Sequence, residues 1–127
     1  MPTDYKDKPL VYACSGCSNV AQLANDLAVV LDREGSAQMS CIAGVGGKVK
    51  QLVKIAKSGR PILAVDGCAL NCVKHSLATI DVVPTWHIEL TALGYKKREH
   101  ESCNLSDAYK LMQLVRTKYM QAVATDS

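Results

Sequence analysis

Short apolar runs alternate with helix-spaced segments along almost the whole chain, and this alternation constrains the fold more than any other feature. "PLVYA" (Pro9 to Ala13), "AQMSCIA" (Ala37 to Ala43), "ILAV" (Ile62 to Val65) and "WHIEL" (Trp86 to Leu90) read as strands. After the first, Val20, Leu23, Ala24, Leu27, Ala28 and Leu31 recur at helical spacing. Ser18 is a candidate N-cap for that helix and Gly35 its stop. A "GVGG" turn follows the second strand. Val49, Leu52, Val53 and Ala56 then mark the inner face of another helix, with Lys48, Lys50, Lys54 and Lys57 outside as a solvated face. Leu70, Val73 and Leu77 suit a third helix core. Leu111, Met112, Val115, Tyr119 and Val123 suit a last one over about residues 106–124.

Strands that alternate with helices imply a parallel sheet covered on both faces. Right-handed crossovers then favour an open, doubly wound sheet. The expected fold is α/β and three-layered, with a mostly parallel four-stranded sheet in the order 2-1-3-4, Rossmann- or flavodoxin-like. The 127 residues suffice for one domain spanning 1–127.

In such sheets the functional crevice lies beyond the carboxyl ends of the strands. Cys14 and Cys17 follow the first strand, Cys41 ends the second, and Cys68 and Cys72 follow the third. Five of the six cysteines therefore fall on one edge of three neighbouring strands. If a helix begins directly after Gly67, Leu70, Val73 and Leu77 lie on one side of it. Cys68, Cys72 and His75 lie on the other. Free cysteines favour burial, so two on a polar stripe need another reason. Thiolate coordination of zinc supplies one, because a tetrahedral ion is often held by Cys-x(2–4)-Cys pairs. "CSGC" and "CALNC" are two such pairs. A helix starting there would also favour a thiolate at Cys68.

The remaining signals narrow the reading. A formal charge of +3, no Phe and a single Trp give little support for a nucleic-acid surface. No apolar stretch is long enough to span a bilayer, and "MPTDYKDKP" does not resemble a secretory signal. The expected compartment is the reducing cytoplasm, where clustered cysteines point to metal or redox chemistry rather than disulfides. "GVGGK" lacks the first Gly and the hydroxyl residue of a P-loop. "CSGCSNVA" carries Val20 where a phosphatase loop needs Arg. Asp66-Gly67 reads either as a strand-to-helix turn with Asp capping, or as a support behind metal ligands. His75, His87 and His100 receive no role, and Cys103 lies apart in the charged connection "KKREHESC".

The motifs "VYACSGCSNVAQLAN", "MSCIAGVGGKV", "AKSGRPILAVDGCALNCVK" and, more weakly, "LTALGYKK" resemble the DGC domain family, named for its Asp-Gly-Cys motif. They cover roughly residues 10–97. The resemblance implies zinc binding through four cysteines. It carries over to Cys14, Cys17, Cys41, Cys68 and Cys72, one more than four, and implies no established reaction.

The expected protein binds one Zn2+ through Cys14, Cys17, Cys68 and Cys72, which form two chelating pairs, with a role in metal handling or sensing. Cys41 is the alternate ligand or a free thiol beside the metal, and Asp66 stands behind the ligands. The rival reading is a thiol oxidoreductase or sulfur carrier that uses Cys14/Cys17 or Cys68/Cys72. An iron–sulfur protein is a third reading.

Overall fold

The computed structural model describes residues 5–102 and 104–120. Cys103, and the expected last helix beyond residue 120, lie outside the described residues. The elements in chain order are β1 (Leu10–Ala13), α1 (Asn19–Arg33), β2 (Gln38–Met39), α2 (Ile42–Gly46), α3 (Lys50–Ala56), β3 (Ile62–Asp66), α4 (Cys72–Ala78), β4 (Trp86–Glu89) and α5 (Leu105–Leu114). A 3-10 turn, Leu90–Leu93, follows β4, and α5 continues as π-helix over Val115–Met120.

The four strands form one parallel sheet in the order β2-β1-β3-β4. Leu10, Val11, Tyr12 and Ala13 pair with Ile62, Leu63, Ala64 and Val65, so β1 and β3 end side by side. Both strands are buried along their whole length, as central strands of a covered sheet must be.

Alternation along these strands divides the core in two. Val11, Ala13, Leu63, Val65 and Ile88 face α1 and α5, packing against Leu23, Leu27, Leu31 and Leu111. Leu10, Tyr12, Ile62 and Ala64 face the other way, against Val45 of α2, Ala56 of α3, and Val73 and Leu77 of α4. Two helical layers around one sheet are the three-layer arrangement expected. Burial of each large aliphatic side chain contributes about 1.5–3 kcal/mol. The α1 helix starts where predicted: the Ser18 hydroxyl accepts from the Ala21 amide at 3.1 Å. Its chain reverses at Gly35, which takes φ 84.

Four local expectations are corrected. The second strand is only two residues long, because Cys41 leaves the sheet to N-cap α2. The expected "GVGG" turn is mostly that short helix. Its Gly44 lies against Leu52, whose side chain would have to shift to admit a Cβ. The third helix does not begin after Gly67 but at Cys72, following Asn71 in the left-handed region at φ 52. Leu70 therefore falls in a turn and is 65% exposed instead of joining the core; Val73 and Leu77 are buried. On α3 only Ala56 of the expected inner face is fully buried, with Leu52 and Val53 half-buried and Val49 exposed.

Candidate functional site

The turn after β3 is built around Asp66 and Gly67. Because β1 and β3 end together, Cys14 lies beside this turn, and the Gly67 amide donates to Cys14 Sγ at 3.1 Å. The Cys14 amide donates in turn to the Val65 carbonyl at 3.1 Å. Gly67 presses on the first turn of α1. A Cβ there would stand 2.8 Å from the carbonyl carbon and oxygen of Val20 and 2.9 Å from the Ala21 amide nitrogen.

Asp66 is 1% exposed. Its carboxylate accepts from the Val73 amide at 2.7 Å and the Lys74 amide at 3.2 Å. It thus caps α4 from the end of β3, leaving Cys72 as the helix's first residue. His87 Nε2 lies 2.9 Å from Asp66 Oδ2. The capping half of the sequence reading holds for Asp66. His87, given no role from sequence, joins β4 to the same carboxylate.

The predicted thiols divide into two sets. Cys14 lies beside the Asp66-Gly67 turn, and Cys68 and Cys72, which follow that turn in the chain, stand near enough for their charge to bear on its thiol. Burial pushes the Cys14 thiol above the ordinary range. The Gly67 amide opposes this, while the Asp66 carboxylate and the Cys72 and Cys68 sulfurs add to it. Cys68 is half-buried and Cys72 exposed. The other set has separate partners. Cys17 is exposed and donates to Glu99 Oε2 at 2.9 Å, which raises its pKa. Cys41 is also exposed, and its sulfur accepts from the Gly44 amide at 3.4 Å as the cap of α2. His75 lies exposed on α4, and His100 is exposed as well.

The charged connection contributes what the sequence did not announce. Asn19, at the start of α1, ties it down on both sides: its side-chain amide donates to the Lys96 carbonyl at 2.8 Å, and its Oδ1 accepts from the Arg98 amide at 2.5 Å. The Asn19 amide also donates to the Arg98 carbonyl at 3.0 Å. This strap carries Lys97 to within 3.6 Å of Cys68 Sγ and Glu99 to Cys17. The Cys68 sulfur is the largest influence raising the Lys97 pKa, followed by Glu99.

Among the described residues, no three His, Cys, Asp or Glu side chains stand grouped as a metal site. The donor types nevertheless suit a thiophilic divalent ion: Cys14 lies beside the turn that leads to Cys68 and Cys72, and an amide hydrogen already points at the Cys14 sulfur. The five described cysteines are free thiols.

Fold and site together define an α/β domain with a cysteine-rich carboxyl edge. The chain belongs to the DGC domain family, whose model matches residues 10–115. It is 66% identical over 103 residues to the anaerobic and virulence modulator AnvM of Pseudomonas aeruginosa PAO1, covering 81% of this chain and 79% of that protein. No solved structure matches the chain. Among the described residues no helix is long and apolar enough to cross a membrane.

Proposed function

We propose that this chain is a cytoplasmic zinc-binding protein whose metal is held by thiolates at the carboxyl edge of the sheet. The observation that supports this reading is the position of Cys14 beside the Asp66-Gly67 turn, with Cys68 and Cys72 near enough to influence its thiol. Burial disfavours a bare Cys14 thiolate, and a divalent cation is the natural compensation for three neighbouring sulfurs. Cys17 is the first choice of fourth ligand, completing the CxxC pair with Cys14, and it must leave Glu99 to bind. Cys41 is the alternate. The core is built from apolar strands and helix faces and does not depend on the metal for its bulk, so the role we favour is metal handling or sensing. The relative's printed name, a modulator, supports a regulatory role of this kind.

A second reading keeps a specific observation of its own. The Lys97 ammonium stands 3.6 Å from Cys68 Sγ, a cation beside a cysteine of the kind a thiol oxidoreductase or sulfur carrier uses.

Zinc occupancy after single Cys→Ser replacement separates these readings, because a serine oxygen is a poor substitute for thiolate at zinc. Cys14→Ser, Cys68→Ser and Cys72→Ser should each lose most of the bound zinc under anaerobic purification. Cys103→Ser should retain it. Loss in only one of Cys17→Ser and Cys41→Ser identifies the fourth sulfur. Full retention in both Cys68→Ser and Cys72→Ser would contradict the zinc reading, and rapid alkylation of Cys68 in that metal-free protein would favour the thiol reading.

A further inference from the structure

Charge is unevenly distributed over this molecule. From Gly35 to Ile80 the sequence holds one acidic residue, Asp66, and that residue is buried. The same stretch exposes Lys48, Lys50, Lys54, Lys57 and Lys74. Lys48 donates to the Thr79 carbonyl at 3.3 Å. Among the described residues, Lys50, Lys54, Lys57 and Lys74 have no acidic partner. The surface ion pairs elsewhere, Arg33–Asp32, Lys97–Glu99, Arg98–Glu101 and Arg116–Glu34, all lie outside this stretch. Since α2, α3 and α4 cover the same sheet face, the unpaired cations belong to one layer of the fold.

The pattern on α3 is regular. Lys50 and Lys54 stand at i and i+4 on one side of the helix, and Lys57 follows at i+7 as its C-cap residue. Like charges at these spacings repel, and among the described residues no carboxylate pairs with them. Val49, the N-cap residue just before α3, is 49% exposed, while Val53 packs against the core beneath the helix.

We propose that the α2–α4 layer is a docking surface for an acidic amphipathic helix of a partner protein. Carboxylates at helical spacing would match the lysines, and apolar residues of the same helix would cover the exposed Val49. A nucleic-acid strand fits less well, because residues 35–80 contain no Phe, Tyr or Trp on which bases could stack. An anionic membrane fits less well too, since the exposed large apolar residues of this stretch, Val49 and Leu70, include no interfacial aromatic anchor. The proposal is independent of the metal reading.

Fluorescence anisotropy of the whole chain with four labelled probes tests it. The probes are a helical peptide of about 20 residues with Glu at i, i+4 and i+7 beside a Leu stripe, a scrambled peptide of the same composition, a short DNA duplex, and phosphatidylserine–phosphatidylcholine vesicles. The expected result is binding of the patterned peptide, weakened by salt. Binding should fall about tenfold or more in the triple variant Lys50→Glu, Lys54→Glu, Lys57→Glu, with circular dichroism unchanged. If that variant does not fold, the corresponding triple Gln variant removes the charge without adding acids, and the same loss is expected. The proposal is overturned by no binding of the patterned peptide, by equal binding of the variant, or by equal or tighter binding of the scrambled peptide, the duplex or the vesicles.

Discussion

Replacing Gly67 by Ala is expected to destabilise the fold by about 3 kcal/mol, the upper range for forcing an extra methyl into a packed site. For a domain of this size that corresponds to a fall of roughly 12 °C in the thermal midpoint. The added Cβ would meet backbone atoms, at 2.8 Å for Val20 and 2.9 Å for Ala21, and backbone cannot swing aside as a side chain can. Either the first turn of α1 or the turn after β3 must move. Moving the second displaces the amide that Gly67 gives to Cys14. Gly59→Ala provides the contrast. Gly59 has φ +88 but nothing within 4 Å of a Cβ, so its cost is backbone strain alone, about 1–2 kcal/mol. Thermal denaturation of both variants checks the account. A Gly67→Ala midpoint within a few degrees of the parent would mean that the turn does not press on α1.

Asp66→Ala should cost about 3 kcal/mol, because it leaves two helix amides and an imidazole without their acceptor in a buried place. The amides of Val73 and Lys74 belong to the first turn of α4, where no backbone partner exists for them. Asp66→Asn should cost less. One side-chain oxygen can still accept from an amide, but the new NH2 group has no acceptor among these two amide donors. Coupling to His87 can be isolated by a double-mutant cycle with His87→Ala, measured by denaturant unfolding. Additivity of the two replacements would show that the 2.9 Å contact adds nothing. A negligible loss in Asp66→Ala would show that α4 does not need its cap.

The sheet was legible because its information is local. Four apolar runs separated by helical periodicities, with right-handed crossovers, leave few arrangements, and the order 2-1-3-4 is among them. The carboxyl-edge position of Cys14, Cys41, Cys68 and Cys72 followed from the same strands. Features that depend on tertiary register were not legible. His87 meets Asp66 only because β4 pairs with β3, placing Trp86 opposite Leu63 and Glu89 opposite Asp66. Lys97 and Glu99 reach the cysteines only because Asn19, far away in sequence, fastens the connection that carries them. Leu70 misled through periodicity alone: it has helical spacing with Val73 and Leu77, yet the helix begins after it, at the first residues whose amides Asp66 can cap. The "GVGG" glycines read as a turn because glycine is a poor helix former. Here Gly44 sits inside a helix, where a Cβ would push against the Leu52 side chain.

Metal content of the unaltered protein tests the central claim most directly. Purified anaerobically, without added metal or chelator, the chain should carry about one zinc per molecule by elemental analysis and show no visible absorption, as a thiolate-held d10 ion does. A folded chain that is free of metal, or one that carries iron with visible charge-transfer bands, would contradict it.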